Sequence, residues 1–167
     1  FVVQEWIRGG DSDHYTCDSY SSASGEPLVT FSSRKLRQWP PVVGQGCISI
    51  EHRNDEVRNQ AIRALTAAGH YGHGYVEMKW DEALGRHLII EANVGRPTGR
   101  SAAAERAGVE LLMTMYCDLV GDPLPAERVQ HYRGAKWIHI RRDLQASVYA
   151  VLTGRSSAGD ILRSWRG

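Results

Sequence analysis

Alternation of apolar and polar side chains is clearest over residues 75–80 and 87–93. Successive side chains of a strand point to opposite faces, so the first run puts Tyr75, Glu77 and Lys79 on one side and Val76, Met78 and Trp80 on the other. The second puts Ile89, Glu91 and Asn93 on one side and Leu88, Ile90 and Ala92 on the other. Asp81, Glu82 and Gly85 lie between them and supply turn chemistry, so the two runs read as an antiparallel hairpin. A turn centred near Leu84 brings Glu77 opposite Glu91, with Asn93 on the same face.

Elsewhere the period lengthens. Val57, Ala61, Leu65 and Ala68 recur at helical spacing and predict a helix over 54–68, with Asn54 as its cap, Asp55 and Glu56 at the positive end, and Gly69 at the stop. A second helix is predicted over 102–119, capped by Ser101, packing Val109, Leu112, Met113 and Tyr116 inward and ending near Gly121 and Pro123. Residues 1–7 read as a short strand entering the turn Arg8-Gly9-Gly10-Asp11, and residues 13–19 and 27–33 as a two-stranded meander. Residues 42–51 form a strand candidate broken by Gly44 and Gly46. A strand over 137–141 and helices over 143–152 and 158–165 complete the chain. Pro40 and Pro41 exclude a helix from the basic stretch Arg34-Lys35-Leu36-Arg37, which reads as a loop, either solvated or facing a phosphate or carboxylate. The fold class is therefore α+β, an antiparallel β-sheet with packed helices. Glu77, Glu91 and Asn93 are expected on one face, and the helices over 54–68 and 102–119 on the other.

At 167 residues the chain is long enough to bury about 70% of its unfolded surface as one domain. A net charge of +1 gives no field that would draw nucleic acid or an anionic membrane, and neither is expected as a partner. No apolar run approaches the roughly 18 residues of a membrane span. Cys17, Cys47 and Cys117 are widely spaced and suggest reduced thiols in a cytoplasmic setting. The chain begins at Phe1, so the lack of a signal peptide carries no weight. His70 and His73 have a metal-like spacing, but Gly72 breaks the helix that would align them, and a surface turn is the better reading.

The chemistry gathers on the hairpin. Two carboxylates about 5 Å apart repel by on the order of 3 kcal/mol at an effective dielectric near 20. A cation between them removes that cost, and two carboxylates with an amide oxygen are hard ligands suited to Mg²⁺ shared with substrate phosphates. A solvated polar face is the alternative. The loop after the hairpin, Val94-Gly95-Arg96-Pro97-Thr98-Gly99-Arg100-Ser101, combines backbone freedom with positive charge at a helix start, which makes an anion site.

The order strand, Glu77, turn, strand, Glu91-Ala92-Asn93, then a Gly/Arg loop resembles the C-terminal half of the ATP-grasp superfamily, and in particular its carbamoyl-phosphate-synthase-like ligases. The opening FVVQEWIRGGD resembles that family's hinge. The resemblance covers residues 1–124 and leaves 125–167 as an extension packed on the same domain. It implies ATP and Mg²⁺ as cofactors, with Glu77, Glu91 and Asn93 holding the metal. It implies that the carbonyl of Gln4 or Glu5 and the amide of Ile7 meet adenine, and that Asp11 meets the ribose. Arg96 and Arg100 would face the acyl phosphate, although the family's more usual Asn-Pro-Arg is replaced here by Asn93-Val94-Gly95-Arg96-Pro97. The implied reaction activates a small-molecule carboxylate as an acyl phosphate for attack by an amine. The nucleotide-covering N-terminal subdomains are not in this sequence, so the isolated fragment is expected to be inactive. A non-catalytic nucleotide- or protein-binding module of the same fold, and an unrelated α+β domain, are the other readings.

Overall fold

The computed structural model describes residues 3–95 and 99–166. Six strands form one sheet: β1 (His14–Ser21), β2 (Pro27–Trp39), β3 (Gln45–Glu51), β4 (Gly72–Asp81), β5 (Arg86–Val94) and β6 (Lys136–Ile138). Their order is β5-β4-β1-β2-β3-β6 and every pairing is antiparallel. The helices are α1 (Asp55–Ala67), α2 (Gly99–Arg106), α3 (Leu111–Val120), α4 (Ile140–Leu152) and α5 (Ala158–Trp165). The expected α+β class, an antiparallel sheet with packed helices, is what folds. Among the described residues no helix is long and apolar enough to cross a membrane.

The sheet is covered on both faces. Cys17, Val76 and Met78 meet Val57, Ala61 and Leu65 of α1. Asn54 starts this helix by accepting from the Val57 amide at 3.0 Å. Ala68 is exposed, so the buried stripe ends one member earlier than its spacing suggested. On the other face Tyr20, Val29 and Phe31 meet Ala103, Ala104, Ala107, Val109 and Leu111. By register, Tyr20 and Phe31 share a face with Asp18, Tyr75 and Glu77. Only α1 therefore lies opposite the acidic residues, and α2 with α3 packs on their own side, which corrects the expected layering. The single helix over 102–119 is also corrected. Gly108 turns left-handed at φ 78° and divides it. That break resets the helical phase, burying Leu111, Thr114 and Cys117 and exposing Met113 and Tyr116.

Three further expectations change. Residues 3–8 form no strand, since Val3 and Trp6 are exposed and no neighbouring strand pairs with them. The basic stretch is not a loop: β2 runs through it because β3 offers partners from Ser33 to Trp39. Its cations divide accordingly. Arg34 donates to the Ser12 carbonyl at 2.6 Å, and Arg37 takes Asp143 of α4 through two bonds of 2.9 Å. Lys35 is left facing the cleft. The strand expected over 137–141 is shorter, because His139 caps α4 by accepting from Arg142 N. β6 and the Arg37–Asp143 pair bind the last forty-odd residues to the sheet.

Candidate functional site

Strands β4 and β5 pair Glu77 with Glu91 and Tyr75 with Asn93, and the register then slips between Glu77 and Met78. Glu77, Glu91 and Asn93 therefore share the expected face, but the bulge at Ile90 sets Ile89 opposite Met78 and so takes it off that face, against the simple alternation. Glu77, Glu91 and Asn93 line a cavity of about 520 Å³ together with Lys35, Tyr75 and Arg100. Asn93 Nδ2 donates to Glu91 Oε1 at 2.9 Å, which leaves the amide oxygen as a possible metal ligand.

Arg100 enters from the first turn of α2. Its Nη2 lies 3.1 Å from Glu77 Oε1, its Nε 3.8 Å from Asp18 Oδ2, and its guanidinium 4.7 Å from the Tyr75 ring centroid. Asp18 is fully buried; burial pushes its carboxyl up and Arg100 pulls it back, leaving it at about 6. Lys35 is buried too, and burial lowers its ammonium while Glu77 raises it. Its Nζ donates to Gln38 Oε1 at 3.0 Å.

A second cavity of about 260 Å³ continues from the first. The two share Lys35, Val43, Gly44, Glu77 and Glu91. Its far wall is Gln4, Glu5, Trp6 and Ile7, and its floor includes Lys79. Lys79 Nζ donates to the carbonyls of Ile7 at 2.9 Å and Gly9 at 3.0 Å, with the Trp6 ring 5.3 Å away. The structure thus brings Gln4, Glu5, Ile7, Glu77, Glu91, Asn93 and Arg100 onto one connected cleft. Asp11 stands apart, lining a neighbouring cavity, with its carboxylate 3.3 Å from the Gln38 amide and 3.4 Å from that of Val42. Arg96 lies outside the described residues.

Sequence reasoning passed over Asp18, Lys79 and the particular place of Lys35. One signal was available for the first. A carboxylate in mid-strand, flanked by Cys17 and Ser19, is an unfavourable choice for a pleated surface unless something answers its charge.

The architecture has known counterparts. It superposes on the ADP complex of PurK, N5-carboxyaminoimidazole ribonucleotide synthetase, with a TM-score of 0.61 and 18% identity over 90% of this chain and 38% of that one. It superposes on a β-γ-ATP complex of biotin carboxylase from Campylobacter jejuni with a TM-score of 0.58 and 18% identity over 74% of this chain and 28% of that one. A third structure, the bicarbonate-bound biotin carboxylase domain of a thermophilic 2-oxoglutarate carboxylase, gives a TM-score of 0.56 and 19% identity over 74% and 28% of the two chains. The chain carries the ATP-grasp fold. These ATP-grasp neighbours are ATP-dependent carboxylases and ligases. The chain spans 28% of the length of two of the three and 38% of the third. No family model matches the sequence and no curated protein does, so the likeness rests on the fold.

Proposed function

We propose that this chain supplies the metal- and triphosphate-facing part of an ATP-dependent ligase that activates a carboxylate as an acyl phosphate for attack by an amine or similar nucleophile. The observation that carries the reading is the pairing of Glu77 with Glu91 beside Asn93, in a cavity that runs on to the main chain of residues 4–7. The donor set fits Mg²⁺: two carboxylates and an amide oxygen, all hard ligands, with positions left over for phosphate oxygens. Among the described residues no three His, Cys, Asp or Glu side chains are grouped to hold an ion, which suits a cation shared with substrate better than an all-protein cage.

Bound there, Mg²⁺ would supply charge neutralisation on the triphosphate during phosphoryl transfer. The protein's part is positioning. Glu77 and Glu91 answer the cation from adjacent strands, and Lys35 and Arg100 add positive charge for phosphate or carboxylate oxygens. Arg96 is assigned the same task on sequence grounds. The carbonyl of Gln4 or Glu5 and the amide of Ile7 would meet adenine, on a segment held by Lys79. For Asp11 to take the ribose, its carboxylate would have to leave two amide contacts that are both long for hydrogen bonds. The lid over the nucleotide is assigned to sequence outside these 167 residues. This chain alone would then bind Mg-nucleotide weakly and not turn it over, because electrostatic catalysis needs a water-excluded site.

Calorimetric titration of the chain with ADP, with and without Mg²⁺, tests the proposal. The expected result is binding that requires the metal and is lost in Glu91→Gln. Nucleotide binding indifferent both to divalent cation and to Glu91 would overturn it and favour a non-catalytic nucleotide-binding module.

A further inference from the structure

Asp18 sits in the middle of β1, directly across from Tyr75 on one side and Phe31 on the other. It is fully buried, so it offers a ligand no surface. Among the described residues neither of its carboxylate oxygens accepts a hydrogen bond. Burying a carboxylate without such bonds is costly, and an asparagine would fill the same space without the charge. The retained charge has one visible use. The Arg100 guanidinium passes it at 3.8 Å on the way to Glu77 and lies over the Tyr75 ring.

We infer that Asp18 is a positioning residue for Arg100, sharing that cation with Glu77 so that Glu77 can turn to a divalent ion while Arg100 stays at the cavity wall. The guanidinium is a planar fork, and two carboxylates along its edge with an aromatic face beneath it fix both its place and its plane. Glu77 faces two demands, since it lines the cavity beside Glu91 and also pairs with Arg100. Asp18 competes for Arg100 but, being buried, not for the cation. Without the Asp18 charge, Arg100 draws more strongly on Glu77, and the site is one unit more positive. Both effects oppose metal binding. In its metal arm the inference rests on the ligase reading above; in its structural arm it does not.

Two measurements on the full chain test it, in the wild type, Asp18→Asn, Arg100→Gln and the double variant. Nitrogen-15 NMR of arginine side chains reads Arg100 itself. Its Nε–Hε signal is expected to carry the ring-current shift of the Tyr75 face in the wild type and to lose that shift in Asp18→Asn. Electron paramagnetic resonance of Mn²⁺ with ADP reads the site: Asp18→Asn should weaken Mn²⁺-ADP binding about fivefold, the scale of one partly shielded charge, and should weaken it less once Arg100 is Gln. Asp18→Ser is the second variant should the first fail to fold. An unchanged Arg100 ring-current shift in a folded Asp18 variant overturns the inference. So does a loss of Mn²⁺-ADP affinity that is equal with and without Arg100. A wild type that binds no Mn²⁺-ADP at all sinks the ligase reading instead, and the NMR arm then decides the role of Asp18 alone.

Discussion

Glu77 stands directly across the β4–β5 ladder from Glu91, and one of the two, Glu77, already carries a cationic partner in Arg100. Like charges opposed in a ladder destabilise it, so the pair is a standing cost that a divalent ion relieves. Glu91→Gln should therefore leave the fold intact, with a melting temperature equal to or slightly above the wild type. Metal-dependent ADP affinity should fall more than about tenfold, corresponding to roughly 1.4 kcal/mol. Paired melting curves and calorimetric titrations check both signs. A variant that loses stability and affinity together would point to a structural role for Glu91.

Lys79 gives the segment before β1 its anchor. Its ammonium serves the carbonyls of Ile7 and Gly9, and hydrogen bonds to charged groups are worth about 1.5–3 kcal/mol each. Lys79→Met keeps the apolar stem and removes both bonds, so it should destabilise by about 3 kcal/mol or more. It should also weaken ADP binding, because the wall of the second cavity loosens. Gln4→Ala and Glu5→Ala should leave ADP affinity within twofold, since the proposed adenine contacts are made by main chain. If those two substitutions matter more than Lys79→Met, the main-chain assignment is wrong.

The hairpin was legible in the sequence because a period of two fixes which side chains share a face, and Glu77, Glu91 and Asn93 fell where alternation put them. The bulge that makes Ile90 the extra residue was not, since nothing local marks where a ladder slips. Asp18 and Lys79 gain their roles from non-local neighbours: β1 lies between β4 and β2, and residues 7–9 fold under β4. Arg34, Lys35 and Arg37 read as one basic cluster until the length of β2 sends them to three different places. The layering error has a similar source. Helical periodicity says which face of α2 is apolar, but not which side of the sheet that face meets.

Asp143 should make the C-terminal helices sensitive to acid. Burial pushes its carboxyl up, but bonds from Arg37 and Trp165 and the Arg37 charge hold it below the ordinary value of 3.8. A carboxyl lowered by folding adds stability that is present above its unfolded value and is lost as pH falls through the lower folded one. The melting temperature followed by circular dichroism should thus decline below about pH 4 in the wild type. Asp143→Asn should flatten that decline and cost about 3–5 kcal/mol at neutral pH, because it strands the Arg37 charge. A variant with the same acid limb as the wild type would remove Asp143 from its cause.

Gly44 tests whether the loop between β2 and β3 shapes the nucleotide cleft. A Cβ added there would overlap the Trp39 carbonyl carbon and the Pro40 oxygen and nitrogen, all backbone atoms with no freedom to swing aside. The loop must therefore open if any side chain is placed at this position. Val43 and Gly44 line both connected cavities, so opening moves the wall between the carboxylate end and the segment of residues 4–7. Gly44→Ala should consequently widen the cleft and lower ADP affinity several-fold, together with a stability loss of about 1–3 kcal/mol from the displaced backbone. Gly25→Ala is the control: unlike Gly44 it sits at positive φ, 82°, in the β1–β2 turn, but a Cβ there meets nothing within 4 Å. It should cost stability through its φ alone and leave ADP binding unchanged. Equal affinity losses in the two variants would mean that ADP binding follows global stability, and the loop would lose its place in the site.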